Sequence, residues 1–164
     1  MDKYDTFLKR IGAGVIDGII FIPFSFLESV TGNSILAFFS FQLFHLAVWS
    51  LYTVGLHARF GQTLGKYVFE VKLYDINEKS TLSAKKAFLR ESVWICSQGL
   101  ITLYFLAAAS SNMQQLEGIK ASYADTAAFA SLTWMLIEVV TMATNRKHRS
   151  VQDFIAGSVV LKIT

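Results

Sequence analysis

Four stretches of the chain stay apolar long enough to cross about 30 Å of hydrocarbon: residues 11–30, 34–57, 92–110 and 121–143. Between the second and third the pattern changes. In Tyr67-Val68-Phe69-Glu70-Val71-Lys72-Leu73-Tyr74-Asp75, apolar positions 67, 69, 71 and 73 flank charged positions 70 and 72, which is the period of a half-buried strand. A lone strand leaves its backbone unsatisfied, and Ser158-Val159-Val160-Leu161-Lys162-Ile163 alternates in the same way. The pattern predicts an all-α membrane protein, a four-transmembrane-helix bundle in one domain over residues 1–164, with a two-stranded β-element pairing 67–75 with 158–163. The short polar turn from Glu28 to Asn33 makes the first two spans antiparallel neighbours. Ser83 can cap a helix from Ala84, either an interfacial helix or an extension of the third span.

Composition agrees with the pattern. Of 164 residues 53% are apolar and 16% charged, and the mean hydropathy is +0.44, too apolar for a soluble domain. The acid at Asp17 and the apolar run beyond Phe26 argue for a retained span rather than a cleaved signal. Lys3, Lys9 and Arg10 precede the first span, a run from Arg59 to Arg90 separates the second and third, and Arg146, Lys147, Arg149 and Lys162 follow the fourth. Only Lys120 remains for the opposite side. By the positive-inside rule both termini, the middle loop and the β-element are cytoplasmic. The net charge of +3 is then a matter of topology and gives no reason to expect nucleic acid.

The polar interruptions carry the candidate chemistry. An acid inside a spanning helix costs at least about 2.5–3.5 kcal/mol, so Asp17 needs compensation. Gly14 and Gly18 bracket it as a small-xxx-small pair on a face where another helix can pack closely. Pro23 should kink the first span or free a carbonyl. Glu138 is a second acid in the fourth span; at about 1.5 Å per residue, it and Asp17 each lie roughly 10 Å from the cytoplasmic end. Gln98, Ser50 and Thr53 fall near that level, so all four helices would share one polar layer. The single cysteine, Cys96, reads as a small core residue. His45, His57 and His148 lack ligand spacing, so neither a metal site nor a cofactor is expected. Nothing pairs a nucleophile with a base, so the chain is not expected to be an enzyme.

Together these residues resemble the RDD family of small bacterial membrane proteins, named for one arginine and two aspartates. The likeness rests on Arg10, Ala13 and Asp17 in the first span, Gly61-Gln62-Thr63-Leu64-Gly65-Lys66, Arg90, and Asp153-Phe154-Ile155-Ala156-Gly157. Gln152 stands where many members have His, and Glu70 where a small residue is frequent. The resemblance implies a multi-pass protein of the bacterial cytoplasmic (inner) membrane and a link to sodium/proton exchange.

Two functions follow. In the first, the chain is a monovalent cation/proton antiporter in which Asp17 and Glu138, with Gln98 and Ser50, bind sodium, lithium, potassium or protons. Arg10, Asp153 and Arg90 then form a gating or structural charge network, and neutralising Asp17 should abolish exchange. In the second, the chain is a membrane adaptor or regulator that binds another membrane protein, and the same charges only hold the fold. Homo-oligomers joined through the Gly14/Gly18 face suit the first.

Overall fold

Lipid cannot satisfy backbone polar groups, so long apolar runs become helices. The computed structural model describes residues 3–28, 34–111 and 116–163. Helices α1 (Phe7–Glu28), α2 (Ile35–Phe60), α4 (Ala84–Ser111) and α5 (Leu116–Ala143) are long and apolar enough to cross a membrane. Large side chains such as Val15, Ile19, Phe26, Leu51, Leu100 and Phe129 face outward, as a surface solvated by hydrocarbon requires. Cys96 is exposed too; it belongs to this outer face and not to the core expected for it. Helix α1 runs through Pro23 without ending. Helix α4 begins directly after Ser83, so the segment carrying Lys85, Lys86 and Arg90 extends the third span. The connection 29–33 between the first two spans lies outside the described residues.

The remaining elements close one end of the bundle. Gly61, at φ +72°, caps α2 in the left-handed region with its N–H on the His57 carbonyl. Thr63 then starts a short helix, α3 (Leu64–Val68). Strand β1 is therefore only Val71–Asp75, and the first part of the expected strand is helical. Phe69, apolar in the alternation, instead lays its ring where a β-carbon on Gly12 would come within 2.3 Å of it. Glu70 turns the chain at φ +54°, a conformation that costs a non-glycine residue energy.

Strand β1 pairs antiparallel with β2 (Ser158–Lys162), from Val71 opposite Lys162 to Asp75 opposite Ser158. The turn α6 (Val151–Ala156) precedes β2. Val71, Leu73, Leu82, Ala87, Ala156 and Val160 form a buried core under this end, with Val54 and Ala58 of α2 packed on it. At the far end Phe38, Phe39, Ala109 and Tyr123 form a second core. In the first core, which lies outside the hydrocarbon, each fully buried Val or Leu contributes about 1.5–3 kcal/mol; the second lies within the spans, where packing rather than exclusion of water holds the helices together. The polar residues of the bundle lie between these two anchors.

Candidate functional site

Asp17 is compensated by hydrogen bonds. Its Oδ1 accepts from the Tyr52 hydroxyl at 2.6 Å and the Gly65 N–H at 2.8 Å, and its Oδ2 from the Thr63 hydroxyl at 2.6 Å. The Leu64 N–H in turn donates to the Tyr52 oxygen at 3.1 Å. Helix α3 can come this close because Gly65 has no side chain: a β-carbon there would sit 2.0 Å from the Ala13 carbonyl oxygen. The expected small-residue pair plays no such part within the chain. A β-carbon on Gly14 or Gly18 would meet nothing within 4 Å.

A second charge cluster joins α1, α4 and α6. Arg10 Nη2 lies 2.6 Å from Asp153 Oδ2, and Arg90 Nε 3.2 Å from Asp153 Oδ1. The Ser150 N–H and hydroxyl and the Ser158 hydroxyl also donate to Asp153. Burial acts to raise the Asp153 carboxyl, but the two guanidinium groups hold it well below the usual carboxylate range. Arg90 Nη1 continues to Glu91 at 2.6 Å. Beyond Glu91, His57 Nδ1 stands 3.5 Å away without a hydrogen-bond partner, while His57 Nε2 meets Lys66 Nζ at 2.7 Å. Burial, reinforced by the charge of Arg90, pushes the Lys66 ammonium down to about 7.

Two cavities lie between the helices, each lined from all four spans. One, of about 420 Å³, carries Arg10, Glu91, Glu138 and Gln152 at the capped end of the bundle. The other, of about 370 Å³, carries Glu28, Gln42, His45 and Gln98. Trp49, Trp94 and Ser131 line both, so the cavities adjoin there. His45 Nε2 and Gln98 Nε2 in one, and Trp134 Nε1 in the other, are buried without hydrogen-bond partners among the described residues. Buried polar atoms normally have partners, so these mark places for water or a ligand. Among the described residues no three His, Cys, Asp or Glu side chains are grouped to hold a metal ion.

The RDD family model matches residues 4–157, nearly the whole chain. The chain belongs to the RDD family. Neither a curated protein nor a solved structure matches it. In this RDD protein one arginine and two aspartates of the resemblance sit in two separate contacts: Arg10 with Asp153, and Asp17 with the start of α3.

The expected polar layer is divided in the same way. Glu138 and Gln98 each reach a cavity; Asp17 and Ser50 line neither, and the Ser50 hydroxyl bonds back to the Leu46 carbonyl at 2.7 Å. Glu138 accepts from the Gln152 N–H at 3.1 Å, so it meets the chain ahead of the final strand rather than Asp17. Glu91, His57, Lys66 and the tryptophans were not among the expected site residues of this RDD chain. Glu91 follows Arg90 at the edge of the third apolar run, and Thr63 and Gly65 lie inside the family segment 61–66. Those neighbours were the available signals.

Proposed function

We propose that this RDD protein is a multi-pass transporter of the bacterial cytoplasmic membrane that exchanges monovalent cations, such as sodium, lithium or potassium, for protons. The observation that carries the reading is the pair of adjoining cavities, with acids lining both, Glu28 on one side and Glu91 and Glu138 on the other. A proton and a cation compete for one carboxylate, which couples their movement. Glu138 suits that role better than Asp17: it lines the cavity, and among the described residues no cation lies within 4.0 Å of its carboxylate. Asp17 is fully occupied by three donors. Arg10 and Asp153 brace the cytoplasmic mouth, the orientation following from the clustered cations. Proton flux in liposomes, with sodium, potassium or lithium added in turn, tests the reading. Cation-dependent flux that is lost in folded Glu138→Gln supports it; no flux from folded wild type refutes it.

A second reading, a membrane adaptor or regulator, is favoured by one observation. Gly14, at the edge of the larger cavity, and Gly18 are both exposed, and among the described residues nothing fills the space beside them, which leaves room for a helix from another protein or from a second copy. Specific crosslinks on this face from a protein without flux would select it.

A further inference from the structure

All three tryptophans of the chain, Trp49, Trp94 and Trp134, line the same 420 Å³ cavity as Glu91 and Glu138. The charges around it are unevenly matched. Arg10 is committed to Asp153, and Arg90 to Asp153 and Glu91. Glu138 accepts from the neutral Gln152 N–H at 3.1 Å and has the Ser150 hydroxyl beside it; Arg90 acts on it only at longer range, and among the described residues no cation pairs with it directly. An aromatic face attracts a cation, most strongly at tryptophan and away from water. The volume is that of a small-molecule site, which ordinarily has apolar and aromatic walls and a few polar groups.

We infer that this cavity binds a lipophilic organic cation with a single positive charge, its apolar body against the tryptophans and its charge toward Glu138. On its α1 and α5 sides the cavity is edged by Val15 and Met135, which are exposed on the lipid-facing surface, so such a molecule can enter from the membrane. The buried Trp134 N–H, which has no acceptor among the described residues, is available to a water or an acceptor group carried in with it. The inference rests on the choice of Glu138 as the exchanging acid and extends the cargo from inorganic to organic cations. Binding is measured apart from flux.

The test is calorimetric titration of the purified full chain in detergent with tetraphenylphosphonium, and with tetraphenylborate as an anion of the same shape. Wild type should bind the cation saturably, with quenching of tryptophan fluorescence, and should bind the borate far more weakly. Glu138→Gln should weaken cation binding by roughly tenfold or more, the scale of one desolvated charge contact. Glu138→Asp should retain it, and Trp134→Leu should lower it several-fold; these two variants decide the matter if Glu138→Gln does not fold. Absence of saturable binding by folded wild type, equal binding of the borate, or unchanged binding in folded Glu138→Gln overturns the inference. Sodium-dependent flux without phosphonium binding would overturn it and leave the transport reading standing. Phosphonium binding without any flux would do the reverse.

Discussion

Arg10 Nη2 stands 2.6 Å from Asp153 Oδ2, and this contact fastens the first spanning helix to the turn that launches the final strand. Both side chains are buried, and Arg90 shares the carboxylate. Removing one partner from such a cluster leaves uncompensated buried charge and costs about 3–5 kcal/mol. Asp153→Asn should therefore lower the melting temperature in detergent sharply at neutral pH. The Asp153 carboxyl is depressed in the folded state, so its stabilisation is complete above the unfolded value of about 3.9 and is lost as pH falls toward the folded value. The gap between wild type and variant should narrow below about pH 4. A gap that stays constant into acid would mean the ion pair contributes little.

Glycine positions separate packing within the chain from packing outside it. Gly65→Ala would push a methyl to 2.0 Å from the Ala13 carbonyl oxygen and 3.0 Å from the Asp17 carboxyl carbon. It should destabilise by at least about 1–3 kcal/mol and loosen α3 from α1. Gly14→Ala meets nothing within 4 Å and should be neutral or stabilising by about 0.5–1 kcal/mol in the isolated chain. Thermal melts of the two variants side by side check this. A large loss in Gly14→Ala would reveal a partner helix on that face.

Asp17→Asn replaces one acceptor oxygen with a donor, which at Oδ1 would oppose the Gly65 N–H and at Oδ2 would force the Thr63 hydroxyl to turn its proton away and accept. The expected cost is about 1–3 kcal/mol, the penalty for a buried polar group without a suitable partner. Flux per folded molecule should persist, because the aspartate lines neither cavity. Liposome flux normalised to folded protein measures this, and its abolition would return the exchanging role to Asp17.

The spans and the strand pair were legible because each answers to a local rule: apolar length for the helices, alternation for Val71 to Asp75 and Ser158 to Lys162. Helix α3 was not, since Thr63 and Gly65 favour it through contacts with Asp17 and Ala13 that are distant in sequence. The depth of an intramembrane acid can be counted along its helix, but the direction it faces depends on how that helix is rotated in the bundle. Asp17 and Glu138 were therefore placed at one level without a sign that Asp17 turns to α3 and Glu138 to α6. His57, Lys66 and Glu91 were hidden for another reason. Each has a bland explanation when taken alone, as a scattered histidine, a positive-inside lysine and an acid beside Arg90; only folding brings them into one chain of contacts.

That chain gives a last prediction, about pH. Lys66 Nζ is buried against His57 Nε2, with Arg90, Glu91, Asp17 and Arg10 as the surrounding charges, and burial lowers its pKa to about 7. In the unfolded chain a lysine titrates near about 10.4. Between these values the unfolded state holds a proton that the folded state has released, so stability should rise with pH from about 7 to about 10. Below about 7 both states are protonated and the folded protein bears the full cost of a buried ammonium. Lys66→Met keeps much of the volume and removes the titration. Its melting temperature should exceed that of wild type most at pH 6, and the difference should shrink steadily toward pH 10 as wild-type Lys66 becomes neutral. Parallel curves for the two proteins would show that Lys66 stays charged throughout, with Glu91 and Asp17 compensating it more fully than burial penalises it.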